Sequence, residues 1–230
     1  MKIAIIPARA GSKRIPRKNI RLFDGQPMIS WSIKAAQDSG LFDEIIISTD
    51  DVEIADIAKD LGASVPFIRP EEISGDHTPI KEVVTHAIKA FTAENQAPEL
   101  VCCIFATAPF IQQSDLISAL DKMQDENTSF SFPIARFSAP IQRAIKLDDA
   151  GHAGMFTPEA FNSRSQDLEP AYFDAGQFYW GRTQAWLQPH VMFSDISSPI
   201  VIPAFRVQDI DSEDDWTRAE YLFKALHASA

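Results

Sequence analysis

Short apolar runs alternate with stretches of helical spacing over the first 134 residues, and few folds accommodate that alternation. Residues 3–6, 44–48, 63–68, 100–105 and 129–134 have the length and branched-residue content of strands. Between them lie segments that read as helices. Residues 27–38 begin at Pro27, carry Met28, Trp31 and Ala35 on one stripe, and are followed by Gly40. Thr49-Asp50-Asp51 opens a helix to residue 59 with Ile54, Ile57 and Ala58 inward, closed by Gly62. A longer helix is expected from 80 to about 93, and another, capped by Ser114, to about 125. The run at 100–105 is almost continuously apolar, as a parallel strand covered on both faces must be. The pattern predicts an α/β fold with a Rossmann-like, doubly wound, mostly parallel sheet.

The pattern changes near residue 136. From there to 188 the chain is rich in aromatics, prolines and amides and has no long helical period. This reads as an insertion within a single 1–230 domain, placed to cover a substrate or to lie against a second subunit. A short helix at 183–187 and a strand at 200–202 follow. Asp211-Ser-Glu-Asp-Asp215 then opens a last helix to about 226, with Trp216, Leu222 and Phe223 inward.

Charge is distributed unevenly. The chain carries a net charge of -11, which argues against nucleic-acid or membrane-surface binding. Yet Arg9, Lys13, Arg14, Arg17, Lys18 and Arg21, six of its 21 basic residues, fall within 13 positions that contain no acid. A solvated basic loop is one reading. Its place directly after the first strand favours another, a polyphosphate site supplied with converging cations and with backbone N–H groups at the Gly11-Ser12 turn. Neither Gly-x-x-x-x-Gly-Lys-Ser/Thr nor Gly-x-Gly-x-x-Gly is present, so this loop differs from both familiar phosphate loops and a dinucleotide-dependent oxidoreductase is disfavoured. Pro7 and Arg9 cut the first apolar run short of a signal-peptide core, and a cytosolic protein is expected. Cys102 and Cys103 are adjacent in a predicted strand and point to opposite faces as core thiols.

Asp209-Ile-Asp211 is the second constellation. In extended backbone its two carboxylates share one face while Ile210 turns inward, a hard-oxygen pair suited to Mg2+ alongside substrate phosphate. The competing reading makes Asp211 or Ser212 the cap of the last helix. His77 reads as part of a turn before Pro79. Arg164 is either a surface residue or a fork for a substrate carboxylate, and Gln142 with Arg143, and Gln177 with Tyr179, are polar groups among apolar neighbours.

The run Ile6-Pro-Ala-Arg-Ala-Gly-Ser-Lys-Arg-Ile-Pro-Arg-Lys-Asn19 resembles the cytidylyltransferases that activate acidic sugars, the CMP-sialic acid synthetase family. Ser48-Thr-Asp50, Arg69-Pro-Glu71, Asp76-His-Thr78, Ala106-Thr-Ala-Pro-Phe110 and Asp209-Ile-Asp211 follow in that family's order, so the resemblance covers nearly the whole chain. Asn162-Ser-Arg-Ser-Gln-Asp-Leu168 and Asp174-Ala-Gly-Gln-Phe-Tyr-Trp180 look most like the branch that takes pseudaminic acid, with sialic and legionaminic acids as alternatives. The resemblance implies CTP and an acidic nine-carbon sugar as substrates, Mg2+ as cofactor, and a homodimer joined through the insertion. Arg9, Ser12, Lys13 and Lys18 would handle phosphates. Asn19, Arg69, Asp76, His77 and Thr78 would surround cytosine and ribose, and Asp209 and Asp211 would hold the metal. Arg164 would meet the sugar carboxylate, with Gln142, Arg143, Gln177 and Tyr179 nearby, and catalysis would fall to Arg9, Lys18, Asp209 and Asp211. Ala10 departs from the glycine of many relatives, a substitution that would strain a backbone of positive φ. A noncatalytic nucleotide-binding subunit is the reading from another class, disfavoured by the intact acidic pair.

Overall fold

The first strand, β1 (Lys2–Pro7), can sit inside a sheet because both of its faces are apolar. Ile3 and Ile5 pack on one side, Ala4 and Ile6 on the other, all fully buried in a computed structural model that describes residues 1–228. A small hairpin of β2 (Leu22–Phe23) and β3 (Gln26–Pro27) leads into α1 (Met28–Ser39), which ends at Gly40 with φ 63°. The chain continues through β4 (Glu44–Ser48), α2 (Val52–Asp60), α3 (Ile80–Thr92), β5 (Leu100–Ile104) and α4 (Gln113–Lys122). There follow β6 (Phe130–Ser131), β7 (Pro133–Arg136), β8 (Ile145–Leu147), β9 (Ala153–Met155), β10 (Tyr172–Asp174) and β11 (Phe178–Arg182). The last elements are α5 (Thr183–Leu187), β12 (Ile200–Val201) and α6 (Glu213–His227).

The central sheet runs β4-β1-β5-β11-β6, with β4, β1 and β5 parallel and β11 antiparallel to both of its neighbours. Side chains from α1, α2 and α4 cover one face, and those from α3 and α5 the other. The expected α/β sheet with helices on both faces is therefore present, mixed but mostly parallel. Cys102 and Cys103 fall into the two opposite core layers as anticipated, and burial pushes both thiols up, away from reactivity.

Several expectations needed revision. Residues 63–68 form no strand beyond one bridge of Ser64 to Ile46; Pro66, without an N–H, stops the ladder. Ser114 does not cap α4, because the extended cap residue is Gln112 and Ser114 lies in the first turn. The run at 129–134 is divided between two sheets, β6 in the central one and β7 in a three-stranded sheet of order β10-β7-β12. The supposed insertion ends earlier than 188: β11 is part of the central sheet, with Phe178 and Trp180 on one face and Tyr179 on the other. What projects from the body is the β8/β9 hairpin and its flanking turns.

A third apolar cluster sets the C-terminus against the N-terminal loop. Trp216, Ala219 and Phe223 of α6 pack on Ile15, Phe23 and Met28, and Phe23 meets both Trp216 and Phe223 edge-on at 5.5 and 5.2 Å. Ile210 is buried in the same cluster, and this seats the acidic pair beside the basic loop. No helix among the described residues is long and apolar enough to cross a membrane.

Candidate active site

The site lies beyond the carboxyl ends of the parallel strands, where open α/β sheets present ligands. A cleft of about 520 Å3 opens between the basic loop, the turn at 75–78 and the residues following β5. Arg9, Ser12, Lys13, Lys18, Asn19, Arg69, Asp76, His77 and Thr78 all line it, as does Asp211.

The loop owes its shape to hydrogen bonds that leave four of its cations at the cleft. The Ala10 amide donates to Asp50 Oδ1 (2.9 Å), Ser12 N to Ala10 O (2.9 Å), and the side chain of buried Asn19 to Arg9 O (2.9 Å). Arg17 takes a left-handed backbone, φ 57°, and its carbonyl accepts from Ile20 N and Arg21 N. Ala10 is not among the residues of positive φ, so the alanine there carries no strain. Asp50 also faces Arg69, 3.8 Å away. Burial draws Arg69 below its usual range against the pull of Asp50.

The six basic residues divide into two groups. Arg17 grips Asp51 (2.7 and 3.2 Å) and Glu53 at the start of α2. Arg21 holds Glu213 (2.7 and 2.8 Å) and lies 4.4 Å over the Trp216 ring. These two anchor the loop. Arg9, Lys13, Arg14 and Lys18 remain at the cleft. Asp76 receives Lys13 (2.5 Å) and Arg9, and these two hydrogen bonds hold its carboxyl down to about 2.

Lys18 connects the ends of the chain: its Nζ donates to Ile210 O (2.6 Å) and lies 3.4 Å from Asp211 Oδ1, while Arg14 takes Asp211 Oδ2 at 2.8 Å. The cap of α6 falls on Ser212, in a reciprocal capping box with Asp215, which leaves Asp211 uncommitted to helix capping. Partial burial and the nearby Asp211 charge raise the Asp209 carboxyl. A hard dication between the two would remove that penalty, and two carboxylates are the protein share that Mg2+ takes beside phosphate. Among the described residues no group of three or more His, Cys, Asp or Glu forms a self-sufficient metal cage.

The five residues expected at the sugar do not line this cleft. Arg164 is paired with its neighbour Asp167 (2.7 and 3.2 Å), Arg143 donates to Ser165 Oγ (3.2 Å) and Phe161 O (3.4 Å), and Gln142 to Glu169 O (3.0 Å), all within the projecting segment. Gln177 is buried and donates to Arg206 O (2.8 Å). Tyr179 is buried too, donates to Asp174, and is raised by burial and by that carboxylate. Residue-level reading passed over Asp50 and Arg14 as site residues, although Asp50 lies in the Ser48-Thr-Asp50 motif and Arg14 in the basic run.

Comparison with known proteins shows the family. The family model described as Cytidylyltransferase matches residues 3–188. A pseudaminic acid cytidylyltransferase of Campylobacter jejuni subsp. jejuni serotype O:2 is 44% identical over 228 residues, 99% of this chain and 98% of that protein. This chain belongs to the cytidylyltransferase family. Asp209, Asp211 and α6 lie past the segment that the family model matches, but within the span shared with the Campylobacter protein. A CMP-N,N'-diacetyllegionaminic acid synthase of Legionella pneumophila is 31% identical, with 96% of each chain covered. Among solved structures, CMP:2-keto-3-deoxy-manno-octonic acid synthetase complexed with CTP superposes with a TM-score of 0.72 over 98% of this chain and 99% of its own, at 16% identity, a likeness of fold.

Proposed function

We propose that this cytidylyltransferase transfers CMP from CTP to pseudaminic acid and releases pyrophosphate. The observation that carries the reading is the meeting of Lys18 with Ile210 and Asp211, which sets a cation-lined cleft against the Asp211 carboxylate; Asp209, two residues before it, does not line the cleft. The choice of sugar rests on the 44% identity to the Campylobacter protein.

The anomeric hydroxyl oxygen of the sugar bonds to the α-phosphorus as the bond to the α,β-bridging oxygen breaks; the hydroxyl proton is lost and pyrophosphate leaves with the electron pair. Arg9, Lys13 and Lys18 offset the phosphate charge, and Lys18 keeps one N–H donor free beyond those on Ile210 O and Asp211 Oδ1. Ser12 and the loop amides orient the phosphates, while Asn19, Arg69, His77 and Thr78 border the nucleoside end. Asp209 and Asp211 would hold Mg2+, which when bound neutralises phosphate charge and polarises the reacting oxygens. Fixing attacking and leaving groups in line supplies much of the rest of the acceleration.

For the sugar, Arg164 would meet the carboxylate, with Gln142 and Arg143 as its neighbours. These residues lie away from the cleft of their own chain, and a homodimer would bring the projecting segment of one subunit over the cleft of the other. Exposed Ile145, Leu147, Phe156 and Phe161 on that segment support this arrangement. A light-scattering mass of one chain at micromolar concentration would contradict it. We place the enzyme in the cytosol.

Asp209→Asn and Asp211→Asn test the reaction assignment. Both are expected to lose Mg2+-dependent pyrophosphate release at nearly unchanged melting temperature. Turnover equal to the unsubstituted protein in both would remove the carboxylates from the mechanism.

A further inference from the structure

The turn at 75–78 sends one carboxylate back across the cleft. Thr78 N bonds Gly75 O (3.3 Å), and Asp76, in that tight turn, gives one oxygen to Lys13 Nζ (2.5 Å) and the other to Arg9 Nη1. The Lys13 side chain is 83% exposed and this is the contact that orients it; the Asp76 side chain is 29% exposed. The other two cations that the basic loop brings to the cleft have partners on the far wall, Lys18 with Ile210 O and Arg14 with Asp211, and Arg69 faces Asp50. An incoming polyphosphate therefore meets Arg9 and Lys13 already carrying a fixed negative charge.

We infer that Asp76 is a counter-anion that competes with pyrophosphate for Arg9 and Lys13, and so limits how tightly the cleft retains the inorganic product. This deepens the proposed function and rests on its reading of the cleft as a polyphosphate site. A carboxylate tethered beside two cations has a high effective concentration there. It recaptures them as phosphate oxygens withdraw, and while they are present it adds like-charge repulsion. The role differs from the cytosine and ribose contact implied for Asp76 by family resemblance, and pyrophosphate, which has no nucleoside, separates the two.

The test is calorimetric titration of sodium pyrophosphate, and separately of CTP, into the whole protein and its Asp76→Asn and Asp76→Glu variants at fixed Mg2+. Thermal melting serves as the fold control. Asp76→Asn, similar in shape and uncharged, is expected to bind pyrophosphate roughly 3- to 10-fold more tightly, the range set by two exposed ion pairs. The gain should shrink at high salt, and Asp76→Glu should restore weaker binding. Unchanged or weaker pyrophosphate binding in Asp76→Asn overturns the inference; if CTP binding alone weakens, Asp76 is a nucleoside ligand instead. Unsubstituted protein that binds neither probe overturns the reading of the cleft, and this inference with it.

Discussion

Replacing Lys18 with methionine keeps the aliphatic stem and removes the ammonium that joins the basic loop to the acidic pair. Two consequences of different size follow. Its Nζ donates at 2.6 Å to Ile210 O and reaches Asp211 Oδ1 only at 3.4 Å, with the side chain 18% exposed. Losing a charged hydrogen bond costs about 1.5–3 kcal/mol when fully buried. In this water-accessible cleft, with Asp211 still paired to Arg14, we expect about 1–2 kcal/mol. For a chain of this size that lowers Tm by roughly 2–8 °C. The catalytic loss should be larger, because a preorganised donor aimed at developing charge is typically worth about 10²- to 10³-fold in kcat. Pyrophosphate release gives kcat and KM for CTP, and thermal melting gives the stability term on the same preparation. A kcat within about threefold of the unsubstituted enzyme, with Tm lowered as expected, would refute the reasoning and leave Lys18 as a strut between two segments.

Asp115 and Arg206 form a buried pair (2.5 and 3.0 Å), so Asp115→Ala, which strands the guanidinium, should cost about 3–5 kcal/mol by denaturant titration; a loss under 1 kcal/mol would contradict the burial assigned to it. A Cβ at Gly181 would collide with the Trp186 indole nitrogen and lie 2.7 Å from the Phe130 ring, so Gly181→Ala should destabilise by about 1–3 kcal/mol and alter tryptophan emission. The Asp51 carboxyl is held below its usual value chiefly by the Arg17 hydrogen bond. Its stabilisation is therefore full above the ordinary value of 3.8 and is lost as pH falls through the lowered one. The Tm gap between the unsubstituted protein and Asp51→Asn, in which asparagine still caps α2, should be open at pH 7 and close in acid; a gap that widens in acid would reverse the sign.

The elements that proved legible were those whose local pattern and tertiary environment agree. β1 and β5 are apolar on both faces because they are covered on both faces, and α1 ends at Gly40 because the backbone there is left-handed. β11 was obscured because Asp174-Ala-Gly-Gln precedes it and no helix connects it in parallel; antiparallel entry into a mostly parallel sheet leaves no periodic signature. At the site, clustering of cations identified the loop, but spacing could not show which of them face solvent, partner or ligand. Arg17 and Arg21 look like Arg9 and Lys13 in the chain, yet they bind Asp51 and Glu213, 34 and 192 residues away. Gln177 and Tyr179 were similarly opaque: the structure buries both, outside the cleft lining.

The most direct test of the central claim is a pyrophosphate-release assay with product mass, using purified protein, CTP, Mg2+ and pseudaminic, legionaminic and sialic acids in parallel. The account predicts release with pseudaminic acid and a product of the mass of its CMP conjugate, with much slower release for the other two. Release only with another sugar would keep the reaction and discard the proposed acceptor. Protein that binds CTP but releases no pyrophosphate with any of the three would contradict the proposed transfer to these sugars.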